Sequence, residues 1–113
     1  MSEQVILIDD EEHLRVAGSQ SLRLAGFDVQ DFASATGALD DVDMHWPGVI
    51  VTDVRMPGID GINLMTTALE RDPDLPVILI TGHGDVAMAV QAMRDGAYDF
   101  IEKPFPPFVL VFS

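Results

Sequence analysis

Cysteine is absent from the 113-residue chain, so disulfides and thiolate metal sites are closed to it. Basic residues are scarce: 6 lysines and arginines stand against 19 acids, for a formal net charge of −13. Such a surface disfavours nucleic acid and anionic membrane as partners and favours divalent cations and cationic protein surfaces. No apolar run approaches the roughly 20 residues of a membrane span, and the acidic N-terminus is unlike a signal peptide. Internal repeats, low-complexity tracts and the length for a second domain are also missing. These absences predict one cytoplasmic domain without a membrane partner. With 48% hydrophobic residues it is globular rather than disordered.

What is present is a set of short apolar runs, each ending in a reactive residue. Val5-Ile6-Leu7-Ile8 ends in Asp9-Asp10, and Val49-Ile50-Val51-Thr52 ends in Asp53. Val77-Ile78-Leu79-Ile80 ends in Thr81-Gly82, and residues 98–102 end in Lys103-Pro104. Continuous β-branched runs of this kind fit strands buried on both faces. Between them lie helical patterns over residues 11–25, 62–69 and 85–96, stopped at Gly26, Asp72-Pro73 and Gly96. Residues 27–32 alternate, with Phe27, Val29 and Asp31 opposite Asp28, Gln30 and Phe32, and read as a strand nearer the sheet edge. Ser34 caps an expected short helix through Val42, and Trp46-Pro47-Gly48 reads as a turn with Trp46 a surface anchor. Met65, Met88 and Met93 sit at core spacing. The β-α alternation predicts an α/β fold with right-handed crossovers and a doubly wound parallel sheet.

In such a sheet the carboxyl ends of the strands share one edge, where ligands bind. Asp10 and Asp53 are the expected direct ligands of Mg²⁺, which takes one or two carboxylates along with waters and phosphate oxygens. Asp9 would order a coordinated water, and the Arg55 main-chain carbonyl could complete the shell. The Asp53 carboxylate can attack phosphorus and form an acyl phosphate, with Lys103 pairing with a phosphoryl oxygen. Thr81 either donates its hydroxyl to that group or bonds its own backbone in a turn. On residue type alone Phe100 is a packing aromatic and His83 an exposed loop histidine.

In order, Leu7-Ile8-Asp9-Asp10-Glu11, Asp53-Val54-Arg55-Met56-Pro57-Gly58, Thr81-Gly82 and Lys103-Pro104-Phe105 closely resemble the receiver domain of two-component response regulators. Residues 81–85 and 95–105 are most similar to sigma-54-dependent activators of the C4-dicarboxylate transport type. The resemblance implies a flavodoxin-like five-stranded sheet of order 2-1-3-4-5, with residues 1–105 as the receiver. It implies that Asp53 accepts phosphate from a sensor histidine kinase, that Asp9, Asp10 and Asp53 hold Mg²⁺, and that Lys103 and Thr81 read the phosphoryl group. Phe100 takes the switch position and turns inward as Thr81 moves, and the Lys103–Pro104 peptide is expected to be cis. Helix 85–96 and the last strand become the output surface, serving a homodimer and a sigma-54-type ATPase effector domain.

The family pattern ends in an amphipathic fifth helix, and here residues 106–113 form an uncharged apolar tail in its place. That tail is expected to pack back over the sheet or to associate with another chain. Two other functions stay open: an inactive receiver-fold dimerisation module, and a Mg²⁺-dependent phosphatase with an aspartate nucleophile. The phosphatase is disfavoured because Val54-Arg55 follows Asp53 where a second acid is wanted. The regulatory reading expects no enzyme beyond slow self-phosphorylation and autodephosphorylation.

Overall fold

A computed structural model of the chain describes residues 3–56, 60–82 and 86–102. The elements run β1 (Gln4–Ile8), α1 (Glu12–Leu24), β2 (Asp28–Phe32), β3 (Gly48–Asp53), α2 (Gly61–Arg71), β4 (Val77–Thr81), α3 (Val86–Arg94) and β5 (Asp99–Glu102). All five strands are parallel, in the order β2-β1-β3-β4-β5. This is the doubly wound arrangement expected from the alternating pattern. His83, Asp85, Lys103, Pro104 and the tail at residues 106–113 lie outside the described residues.

Period-two alternation along the strands feeds two cores. Val5, Leu7, Val51, Ile78 and Ile80 join Leu22 of α1 on one face of the sheet. Ile6, Ile8, Ile50 and Leu79 join Leu64 and Met65 of α2 on the other. Burying each such side chain contributes about 1.5–3 kcal/mol, so neither face can turn towards water. Asp31 follows Val29 onto the α1 face, where an acid looks misplaced. It is answered there: the buried Ser19 hydroxyl donates to its Oδ2 at 2.9 Å, and Arg23 lies 3.7 Å away.

Three expectations fail. Residues 34–42 are successive turns rather than a helix. Ser34 Oγ does accept from the Thr36 amide at 3.3 Å. However, the bonds that follow reach back three residues (Ala38 to Ala35, Asp40 to Gly37, Val42 to Leu39) and Gly37 takes φ +76°. Asp40, Asp41 and Asp43 would also have faced the negative end of a helix dipole. Met88 and Met93 are exposed rather than core, because the narrow Ala89/Ala92 strip is the buried part of α3. Trp46 is no surface anchor. It is half-buried, packs against the α2-side core, and lies so close over Gly48 that a methyl group there would meet its ring at 2.3 Å.

Candidate functional site

Strand register assembles the site. Ile8 pairs with Thr52 across β1 and β3, so the next residues, Asp9 and Asp53, emerge side by side at the carboxyl edge. Asp53 pairs with Ile80, which sets Thr81 one step further along β4. The carboxylates of Asp9, Asp10 and Asp53 offer oxygens that all lie within 4.8 Å of one another. Asp9 and Asp53 are buried and Asp10 is exposed.

Each buried acid is held by the amide two residues ahead of it. Asp9 Oδ1 accepts from the Glu11 N–H at 2.9 Å, and Asp53 Oδ1 accepts from the Arg55 N–H at 3.2 Å. The Asp9 amide donates to the Phe32 carbonyl of β2 at 3.0 Å, and its carbonyl accepts from Arg15 Nη1 at 3.0 Å. The Val54 amide donates to the Ile80 carbonyl at 2.9 Å, continuing the β3–β4 ladder past the nucleophile candidate. The backbone carrying both acids is therefore pinned before any ligand arrives.

Three negative groups so close repel one another, strongly where water is excluded. All the donors are hard oxygens, two of them preorganised, which is the chemistry that suits Mg²⁺ and not a soft metal. Thr81 supplies an independent sign of a ligand: its side chain is wholly buried, and among the described residues its Oγ1 has no hydrogen-bond partner. Buried polar atoms are nearly always satisfied. The alternative of a turn hydroxyl bonding its own backbone is not met among the described residues. A cleft of about 390 Å³ is lined by Val54, Arg55 and Met56, which directly follow Asp53, together with Asp60 and Met88.

Of the residues singled out in the sequence, Asp9, Asp10 and Asp53 come together, and Thr81 ends the neighbouring strand at the same edge. Phe100 lies half-buried against the α2-side core, as its residue type suggested. Two residues escaped notice. Arg15 had no signal beyond a basic residue in an acidic chain. Gly61 follows Asp60, whose side chain caps α2 by accepting from the Asn63 amide at 2.9 Å; an Asp-Gly pair before an apolar helix was the available clue.

The family described as the response regulator receiver domain matches residues 5–111. The C4-dicarboxylate transport transcriptional regulatory protein DctD of Pseudomonas aeruginosa is 58% identical over 110 residues, covering 97% of this chain and 24% of that protein. Its namesake in Rhizobium meliloti is 57% identical over 109 residues, again covering 24% of that protein and 96% of this chain. The crystal structure of the receiver domain of NtrX from Brucella abortus superposes with a TM-score of 0.87 at 34% identity, covering 96% of this chain and 92% of that one. The chain spans about a quarter of the length of the two DctD proteins.

Proposed function

This chain belongs to the family of response regulator receiver domains, and from that membership we propose that it is a phosphorylation switch with Asp53 as its phosphoacceptor. The observation that carries the proposal is the meeting of three carboxylates within 4.8 Å at the strand-end edge that also carries Thr81, whose buried hydroxyl has no hydrogen-bond partner among the described residues. The donor is the phosphohistidine of a sensor kinase. A carboxylate oxygen of Asp53 forms the new bond to phosphorus, the nitrogen–phosphorus bond breaks, and the imidazole leaves with the electron pair.

Asp10, Asp53 and the Arg55 carbonyl would hold Mg²⁺ directly, and Asp9 through a water. When bound, the ion supplies positive charge that offsets the approach of two anions. The Arg55 amide orients the Asp53 carboxylate for the attack. Lys103, the chain's single lysine, pairs with a phosphoryl oxygen, and the Thr81 hydroxyl donates to another. The phosphoryl group carries about −1.5 to −2 charges where the carboxylate carried −1, and drawing Thr81 towards it frees room into which Phe100 turns. The surface of α3 and β5 changes with it and controls homodimerisation.

The same reading makes the chain the receiver part of a longer cytoplasmic transcriptional regulator with a sigma-54-type ATPase effector. It assigns the domain a regulatory role, without turnover of free phosphoesters. Incubation with acetyl phosphate or beryllofluoride and Mg²⁺ tests it. The parent should gain one phosphoryl group and shift the amide resonances of α3, and Asp53→Asn should do neither. An Asp53→Asn variant that responds like the parent removes Asp53 from the role.

A further inference from the structure

The first residue of α2 rests on the peptide that carries Asp53. A methyl group at Gly61 would lie 2.1 Å from the Asp53 carbonyl oxygen, 2.9 Å from the carbonyl carbon and 2.9 Å from Val54 Cα. Ordinary contact begins near 3.4 Å, so the helix or the peptide would have to give by roughly 1 Å. Nothing about the backbone asks for glycine: Gly61 is not among the glycines with positive φ. Only the missing side chain explains it.

The seat is fastened from both sides. The Gly61 amide donates to the Val54 carbonyl at 2.9 Å, and the Asp60 cap anchors the helix start. The Thr52 hydroxyl donates to the same Asp53 carbonyl at 3.1 Å, and the Val54 amide is tied to β4. The Asp53–Val54 peptide is thus clamped between a helix end and a strand, and the direction of the Asp53 side chain follows from that peptide's orientation.

We propose that Gly61 is a positioning residue for Asp53: its bare Cα lets α2 seat against the Asp53 carbonyl, and that contact aims the carboxylate. This rests on Asp53 being the phosphoacceptor. A misplacement of about 1 Å at a reacting group costs about 100-fold in rate.

The test compares Gly61→Ala with Gly48→Ala in the full chain. A methyl group at Gly48 is crowded too, meeting Trp46 at 2.3 Å and the Gln4 carbonyl at 2.6 Å, but at the opposite end of β3. Urea unfolding matches the two for stability. The readouts are the initial rate of phosphorylation by acetyl phosphate, followed by intact mass, and the metal-free amide resonances of Val54 and Ile80. Gly61→Ala should lose about 100-fold in rate and shift both resonances, while Gly48→Ala keeps the parent rate. A Gly61→Ala rate near the parent's, or an equal loss in Gly48→Ala, overturns the positioning role.

If Gly61→Ala does not fold, Asp60→Ala loosens the same helix start without added bulk. A slower rate then supports the role, and an unchanged rate overturns it. A parent chain that accepts no phosphoryl group overturns the switch reading and this one with it. A phosphorylated parent beside an equally competent Gly61→Ala overturns only this one.

Discussion

Arg15 reaches back from α1 to the main-chain carbonyl of Asp9, donating from Nη1 at 3.0 Å. With the Phe32 and Glu11 bonds, this leaves the Asp9-Asp10 peptide little freedom to turn. A hydrogen bond from a charged donor contributes about 1.5–3 kcal/mol, less where the donor is partly solvated. Arg15→Gln should therefore cost about 1 kcal/mol in urea unfolding. It should also weaken Mg²⁺ binding about 10-fold, as residues that orient metal ligands typically do. Calorimetric Mg²⁺ titration checks this. A lowered stability with unchanged Mg²⁺ affinity would reduce Arg15 to a helix anchor.

Asp53→Asn keeps the shape of the side chain and an oxygen for the Arg55 amide, but removes one of three clustered negative charges. Without metal, the variant should be more stable than the parent by about 1 kcal/mol, because mutual repulsion falls. Mg²⁺ at 100 times its dissociation constant should stabilise the parent by about 2.7 kcal/mol. The variant should gain far less, so the stability order inverts on adding the ion. Thermal unfolding with and without Mg²⁺ reads both effects. A parent indifferent to Mg²⁺ would contradict the ion-binding role of the acids.

The strands and their acids were legible because two independent codes agree there: a continuous apolar run and a charged residue at its end. Register then did the rest, since Asp9 and Asp53 each follow a paired residue. Residues 34–42 were not legible, because a serine cap and apolar spacing signal a helix start while saying little about whether it propagates past Gly37. Gly61 was marked locally only as part of an Asp-Gly helix start, and its further role was hidden for a different reason. Its role lies in a contact made to the Asp53 carbonyl across the fold, and no local pattern encodes such an approach. The exposure of Met88 and Met93 follows likewise from which strip of a largely apolar helix meets the sheet.

Arg71, in the last turn of α2, donates from Nη1 to the carbonyls of Leu39 and Val42 and so ties down the turn segment that replaces the expected helix. Arg71→Met keeps the stem and removes both bonds, which should cost about 1–3 kcal/mol. At about 1.5 Å of rise per residue, the far end of α2 stands well away from Asp53. Phosphorylation by acetyl phosphate should accordingly proceed at the parent rate. A loss of rate without a matching loss of stability would reveal coupling along α2 that the hydrogen bonds do not suggest.

Thr81→Val separates the two jobs of the buried hydroxyl. In the unphosphorylated chain Oγ1 bears the cost of burial without a partner among the described residues, and valine has nearly the same shape. The substitution should raise metal-free stability by about 1–2 kcal/mol, opposite in sign to most core changes. Phosphoryl uptake at Asp53 should persist, because Thr81 is not the nucleophile. What should vanish is the response: α3 amide resonances that move in the phosphorylated parent should stay in place in Thr81→Val and move again in Thr81→Ser. If Thr81→Val still shifts α3 on phosphorylation, the hydroxyl does not transmit the signal, whatever it contributes to stability.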